Sequence, residues 1–234
     1  MSPRRVAEYW PFFDLEIRTP RITLRYVDDE AGAGLMRLAA TVGVHDPNWM
    51  PFSTAWTRFE PPSLERQGMQ HYWRTRAAVE PVGWDLPFAV YDGERLVGVQ
   101  GVGAKSFVVT RTVGTGSWLA RSEQGQGIGK EMRSAILHLA FVGLAAELAV
   151  TSAFEDNGAS NGVTRSLGYV ENGWQLDDRE GMRVRHLRYR LERRDWERRR
   201  RDDIEIRGLE RCLPVLGLDA HGDLIAPGHQ GATG

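Results

Sequence analysis

The sequence has one cysteine, Cys212, and no long apolar run. A single cysteine excludes a disulfide within the chain and is typical of a reducing compartment. No stretch approaches the ~20 apolar residues that span a bilayer, and residues 1–17 lack the apolar run of a secretory signal. We therefore expect a cytoplasmic protein that is neither embedded in a membrane nor exported through such a signal.

An excess of one charge is also missing, because 30 Lys and Arg residues oppose 31 Asp and Glu residues. This balance gives no bulk attraction to nucleic acid or to an anionic membrane, and we expect neither as a partner. The most basic segment, residues 193–201, contains Asp195 and Glu197 and is followed by Asp202 and Asp203. Interleaved acids favour a solvated helix end over a nucleic-acid patch.

Metal-binding patterns are missing too. The six histidines form neither an H-E-x-x-H pair nor a set with paired cysteines. We therefore expect no metal site.

The length of 234 residues and the 41% hydrophobic share allow one domain with a sizeable core. Residues 1–192 carry mixed strand and helix patterns. Residues 193–234 are expected to form a C-terminal helical extension and a tail packed on or beside that domain, since the chain thins to Gly, Ala and Pro from Leu213 onward. The composition leaves a homodimer or larger homo-oligomer open.

Strand signals occur in both halves of the chain. Residues 15–27 predict a bulged or edge strand that opens the sheet, because Thr19-Pro20 interrupts a β-branched stretch. Asp92-Gly93 supplies the tight turn of a hairpin. The predicted strands after residue 27 are 86–91, 95–102, 108–120, 148–153 and 183–191.

Helix signals alternate with these strands. One helix follows the capping candidates Asp28 and Asp29, and a second follows Pro61-Pro62. A third begins at Ile128, with an apolar stripe opposite a polar face on which we place Arg133 and His138. A short fourth helix spans residues 160–167 and ends at Gly168. The order predicts a mixed α/β fold.

A glycine-rich loop connects the strand at 108–120 to the third helix. Its glycines allow phosphate oxygens to approach the backbone at the positive end of a helix dipole, where Lys130 adds a cation. A P-loop would need glycine at position 124, and a dinucleotide fingerprint would need glycine at 130; these positions hold Gln124 and Lys130. The loop runs Gln124, Gly125, Gln126, Gly127, Ile128, Gly129.

Two motifs in order give the chain a family resemblance. Q-x-x-G-x-G at Gln124, Gly127 and Gly129 resembles the acyl-CoA signature of GNAT N-acyltransferases. N-x-x-S at Asn157 and Ser160, followed by L-G-Y ending at Tyr169, resembles the second GNAT block. The opening I-R-T-P-R-I-T-L-R resembles the branch of ribosomal-protein alanine acetyltransferases. The HDP, MPF, GSWL and GLERC segments are similar to a mycobacterial member that uses succinyl-CoA.

The resemblance implies the GNAT fold: a mixed, largely antiparallel twisted sheet, flanked by helices and splayed at its centre. Pantetheine would enter the splay beside Trp118, Leu119 and Ala120, where backbone amides polarise the thioester carbonyl. The cofactor would be acetyl-CoA or succinyl-CoA, and the partner a primary amine on a protein or small molecule. Attack would be direct, within a ternary complex.

The resemblance also suggests catalytic residues. Many GNATs have a tyrosine that protonates the departing sulfur, seven residues after the asparagine of the second block. In this chain the position seven residues after Asn157 holds Thr164. In the branch this chain resembles, Ser160 would donate a hydrogen bond to the leaving sulfur and Asn157 would contact the pantetheine arm or a water. Capping of the helix explains both residue types equally well, so that alternative stays open.

The general base is not fixed by sequence. The candidates are Glu155, Asp156, Asp85 and His45.

Cys212 lies far beyond both motifs, which argues against a covalent intermediate on that thiol. In GNATs the region that holds Trp10, Trp49, Trp56, Trp73 and Trp84 forms the acceptor cleft. Core or dimer packing is expected for most of these tryptophans, and one or two are expected to line the acceptor pocket. A CoA-binding regulatory module that has lost catalysis remains the alternative function, and Thr164 keeps it open.

Overall fold

The computed structural model describes residues 3–219, with side chains from residue 6 onward. In that range the α-helices are α1 (Pro3–Tyr9), α2 (Asp29–Thr41), α3 (Ser63–Ala77), α4 (Phe107–Thr110), α5 (Ile128–His138), α6 (Gly158–Ser166) and α7 (Arg193–Glu197). The strands are β1 (Glu16–Arg18), β2 (Ile22–Tyr26), β3 (Gly83–Asp92), β4 (Arg95–Lys105), β5 (Thr112–Leu119), β6 (Leu148–Phe154), β7 (Val170–Arg179), β8 (Met182–Glu192) and β9 (Glu205–Arg207). No helix in this range is long and apolar enough to cross a membrane.

All of these strands belong to one sheet, in the order β7-β8-β6-β5-β4-β3-β2-β1-β9. Neighbouring strands run antiparallel except β5 and β6, which pair in parallel. The predicted mixed, largely antiparallel α/β fold is therefore confirmed. The hairpin of β3 and β4 turns at Gly93, whose φ of +64° is the left-handed conformation that glycine adopts freely.

Helices cover both faces of the sheet. On one face α5 buries its predicted stripe, including Ile128, Met132 and Ile136, against β2, β4 and β5. On the other face α2 and α3 pack over β3 and β4, and Asp28 caps α2 by accepting a hydrogen bond from Ala31 N at 2.7 Å. The expected cap at Asp28 is thus confirmed.

The polar face predicted for α5 is wrong at two positions. Arg133 and His138 are 4% and 5% exposed, because the sheet on one side and the C-terminal segment on the other close over this helix. Residue type alone suggested exposure, yet Arg133 finds polar partners inside the fold and the His138 ring packs against Trp196.

Two strand predictions need correction. Residues 15–27 form two antiparallel strands, β1 and β2, because Thr19-Pro20 makes a turn closed by a hydrogen bond from Thr19 N to Ile22 O of 2.9 Å. Residues 107–110 are helical instead of extended. The buried Phe107 packs on Trp84 there, and this contact outweighs the strand preference of the two valines that follow.

The C-terminal segment completes the sheet and the core. β9 pairs with β1 as the outermost strand, and each of these strands has the sequence Glu-Ile-Arg. Leu213, Leu216 and Leu218 of the expected tail are buried in the main core. The rest of that tail lies outside the described residues, and the domain boundary at 192 stays a prediction.

Candidate active site

The centre of the sheet opens where β5 leaves β6. The two strands pair from Thr112 and Leu148 to Gly114 and Val150, and beyond these residues β5 pairs only with β4 while β6 pairs only with β8. The predicted splay is therefore present. A pocket of about 600 Å³ lies at this gap.

Backbone groups of β5 face the gap. Ala120 N donates to Val97 O of β4 at 2.9 Å, and peptide groups alternate in direction along a strand. The amides of Leu119 and Ser117 therefore point away from β4, towards the space that β6 has left. An extended ligand arm can add to this edge much as a strand would.

A side chain replaces one of the backbone hydrogen bonds lost in the gap, because the Thr151 hydroxyl on β6 donates to Thr115 O at 2.9 Å. On the β4 side, Gln100 Nε2 donates to Gly116 O at 3.0 Å. Beneath them, the Arg133 guanidinium donates to Ser117 Oγ at 3.2 Å and to Thr151 Oγ1 at 3.4 Å. These side chains tie α5 to both separated strands.

The buried Arg133 has no carboxylate partner among residues 3–219. Burial lowers the pKa of its guanidinium, while the nearby Tyr169 opposes that shift. Nothing in the sequence signals this group, because it occupies an ordinary helical position.

Replacing Thr151 with valine is expected to lower the free energy of unfolding by about 1–3 kcal/mol, since the Thr115 carbonyl would lose its donor. Chemical denaturation followed by circular dichroism measures this change. The matched control is Thr112→Val, because the Thr112 hydroxyl bonds to Thr110 O at 2.8 Å in an exposed position. Equal losses in the two variants would contradict a supporting role for Thr151.

The glycine loop lies at the end of β5 and begins α5. Gly125 and Gly127 have φ of +75° and +84°, and the space where each Cβ would stand is open. Gly129 differs, because its Cβ would point inward to Val163 of α6 at 3.7 Å and Leu119 at 3.8 Å. The loop, β5 and α6 thus meet at one place.

Hydrogen bonds from two side chains, Gln124 and Arg21, hold the loop in place. Gln124 Nε2 donates to Val44 O at 2.7 Å and to Leu119 O at 3.1 Å, so this glutamine supports the backbone instead of facing outward. Arg21 donates to Gln126 O at 2.7 Å and pairs with Asp92 at 3.1 Å. Sequence reasoning missed Arg21, since 105 residues separate it from the loop.

The second motif forms the start of α6. Asn157 Oδ1 accepts a hydrogen bond from Ser160 N at 3.1 Å, which is a helix cap. The Ser160 hydroxyl has no hydrogen-bond partner in the described part of the chain, whereas Thr164 is buried. Asn161 was missed by sequence reasoning, although it joins α6 to β6 through Phe154 O at 3.0 Å.

A loop between α2 and α3 crosses the gap. Trp56 lies against Trp118 with ring centroids 5.8 Å apart, and Trp49 Nε1 donates to Asp156 at 3.1 Å. Of the predicted cleft tryptophans, only these two reach the site. Trp10 and Trp84 pack against the main core, and the half-exposed Trp73 donates to Asp29.

The four base candidates differ in their surroundings. Two hydrogen bonds from Arg179, at 2.8 and 2.9 Å, hold the pKa of Asp156 below its ordinary value. Glu155 pairs with Arg185 at 3.5 Å, and His45 bonds to Asp46 O and the Thr57 hydroxyl. Desolvation raises the pKa of Asp85. This residue lies on β3 opposite Gly103 of β4, so it is two strands away from Gly114 of β5.

Comparison with known proteins agrees with this geometry. A family model described as an acetyltransferase (GNAT) domain matches residues 21–170, so the chain belongs to the GNAT acetyltransferase family. No group of His, Cys, Asp and Glu that could hold a metal occurs among the described residues.

Solved structures of ribosomal-protein acetyltransferases share the fold. RimL, a ribosomal L7/L12 alpha-N-protein acetyltransferase in complex with coenzyme A, is 20% identical, with a TM-score of 0.63 over 74% of this chain and 95% of that one. RimJ of Mycobacterium smegmatis, in complex with CoA-disulfide, is 19% identical, with a TM-score of 0.61 over 78% and 88%. The ribosomal-protein-S5-alanine acetyltransferase of Vibrio fischeri is 16% identical, with a TM-score of 0.61 over 77% and 98%.

Proposed function

We propose that this protein transfers an acyl group from acyl-CoA to a primary amine. The observation that carries the proposal is the gap between β5 and β6, with free backbone amides along one edge and a glycine-rich helix start at its end. The glycine loop from Gln124 to Lys130 suits the pyrophosphate, and the edge that includes Trp118, Leu119 and Ala120 suits the pantetheine arm. Family membership supports the same reading.

The residues around the gap can support direct transfer of the acyl group from the thioester to the amine. The amides of Ser117 and Leu119 can donate to the thioester oxygen as negative charge develops on it. The amine nitrogen forms the new bond to the carbonyl carbon, the carbon–sulfur bond breaks, and the thiolate accepts a hydrogen bond from Ser160. The ammonium proton leaves through water to one of the four candidate bases, Asp85, Glu155, Asp156 or His45.

The acyl donor is proposed to be acetyl-CoA or succinyl-CoA. A succinyl group ends in a carboxylate and needs a cation at the gap. Arg188 lines the pocket there, and it has no ion-pair partner among residues 3–219. The amine is proposed to be a protein N-terminus or another primary amine, since RimL and the S5-alanine enzyme are named for protein acceptors.

Thiol release during turnover tests this function. Acetyl-CoA and succinyl-CoA are each offered with a peptide bearing a free N-terminus, an N-blocked lysine peptide and a small amine, and both wild type and Arg188→Met are assayed. Turnover with at least one pair is expected, and a succinyl preference should disappear in Arg188→Met. CoA binding without turnover favours the regulatory-module alternative, which the buried Thr164 supports. Absence of CoA binding overturns both.

A further inference from the structure

Arg133 of α5 is a buried charge without a counter-ion beneath the gap between β5 and β6. Its side chain is 4% exposed, and no carboxylate pairs with it among residues 3–219. The titratable group beside it is Tyr169, and burial raises the pKa of that phenol, so Tyr169 is neutral and supplies no negative charge. Burying an ion without an opposite charge is strongly unfavourable. Stability of the fold therefore does not account for an arginine here.

The hydrogen bonds of this guanidinium go to neutral oxygens and are long. It donates to Ser117 Oγ at 3.2 Å, to Thr151 Oγ1 at 3.4 Å and to Gln100 Oε1 at 3.4 Å. A guanidinium that meets an anion forms shorter bonds, of about 2.7–2.9 Å. The positive charge is thus only partly compensated inside the protein.

Two of these partners stand on opposite edges of the gap. Ser117 belongs to β5 and Thr151 to β6, and the two strands pair no further than Gly114 and Val150. Thr151 lines the pocket at the gap, and the Ser117 amide is one of the two proposed donors to the thioester oxygen. One planar guanidinium therefore holds both edges, a geometry that the single ammonium of lysine does not reproduce.

Acyl transfer brings to the gap the negative charge that the protein lacks. The thioester oxygen gains charge as the amine attacks, and the electron pair of the broken carbon–sulfur bond stays on the leaving thiolate. Resting on the proposed acyl transfer, we propose that Arg133 is a positioning residue, which sets Ser117 and Thr151 at the edges of the gap and keeps a fixed positive charge beneath them. Arg133 does not touch the substrate. It acts through these two residues and through its field, which water screens little in a buried site.

Replacement by methionine separates this role from a structural one. Methionine keeps much of the apolar stem, and two of the three partners retain other hydrogen bonds: Thr151 donates to Thr115 O, and Gln100 donates to the backbone oxygens of Gly101 and Gly116. Exchange of a buried ion for an apolar side chain of similar size is often neutral or stabilising. Arg133→Met is therefore expected to unfold at the same temperature as wild type or a higher one.

The thiol of bound coenzyme A measures the charge at the gap directly. A thiolate absorbs ultraviolet light, so absorbance against pH gives the pKa of the bound thiol, and the complex with desulfo-CoA supplies the baseline for the protein's own groups. In wild type this pKa is expected to lie below that of free coenzyme A, and in Arg133→Met about one pH unit higher than in wild type. Arg133→Lys keeps the charge and should keep the lower value.

Steady-state kinetics measures the effect on transfer. Arg133→Met is expected to lower kcat about tenfold or more and to leave the KM for acyl-CoA within about twofold, because the charge acts on a state formed after binding. Arg133→Lys should recover kcat in part, since it restores the charge and only one edge contact. The control is Arg198→Met, which removes an exposed cation that pairs with Asp195 at 3.3 Å and should change neither kcat nor the bound thiol.

The outcomes separate this role from the proposed function. The same pKa of the bound thiol in wild type and Arg133→Met overturns the role of Arg133 and leaves acyl transfer intact. A less stable Arg133→Met with unchanged kcat also overturns it, since the arginine is then structural. If Arg133→Met does not fold, Arg133→Lys provides the test, and a bound thiol that titrates as in free coenzyme A contradicts the proposal. Absence of wild-type turnover with every donor and amine refutes the proposed function itself.

Discussion

Ser160→Ala is expected to lower kcat about 100-fold and to leave the KM for acyl-CoA nearly unchanged, because the lost hydroxyl would act mainly on the departing sulfur. The hydroxyl is free of protein partners among the described residues, and it lies in the first turn of α6, the helix whose Val163 approaches the glycine loop. Steady-state kinetics with the best donor and amine measures the change. The backbone cap survives, since Asn157 accepts from the Ser160 amide.

The control for this variant is Ser166→Ala on the same helix. The Ser166 hydroxyl bonds to Val163 O at 2.8 Å in an exposed position, so its loss should leave kcat unchanged. If Ser160→Ala also kept full kcat, helix capping would be the whole role of the N-x-x-S motif. Asn157→Ala provides a further comparison, with an expected stability loss of about 1 kcal/mol from the missing cap.

Gly127→Ala is expected to weaken the binding of coenzyme A by about tenfold or more. Its φ of +84° costs a residue with a Cβ about 1–2 kcal/mol, and the loop can relieve this strain only by moving the amides that we propose bind the phosphates. Calorimetric titration with coenzyme A measures the affinity, and thermal unfolding without ligand shows whether the fold is retained.

Gly129→Ala is the matched control two residues further on. Its φ lies outside the left-handed region, and its Cβ would make ordinary contacts with Val163 and Leu119 inside the protein. Alanine also favours a helix more than glycine does. The affinity of Gly129→Ala for coenzyme A should therefore stay within about twofold of wild type. Equal weakening in both variants would mean that glycine is required throughout the loop, whatever its backbone conformation.

The sequence predicted the local structure of the two motifs of the candidate site, because that structure depends on local spacing. The glycine loop and the N-x-x-S block each lie within a few residues, and each occupies the start of a helix, as expected. The sequence could not predict the supports of that site. Arg21, Gln100 and Thr151 reach it through pairings between distant strands, and no local pattern encodes such contacts.

Errors in the predicted elements have a similar cause. Burial of Arg133 and His138 on α5 depends on what closes over the helix, and that is set by strands and a C-terminal segment far along the chain. The short α4 was predicted as strand because its valines favour extension, while packing of Phe107 on Trp84 decides the outcome. Local preference was overruled by tertiary contact at each of these places.

The pairing of β1 with β9 determines the stage of synthesis at which the sheet can fold completely. Their identical Glu-Ile-Arg sequences run antiparallel, so Glu16 stands opposite Arg207 and Arg18 opposite Glu205. During synthesis β1 is made before β9, so its outer edge stays uncovered until residues 205–207 have left the ribosome. A ribosome-bound or C-terminally truncated chain would thus present an open strand edge, the kind of surface on which chains aggregate.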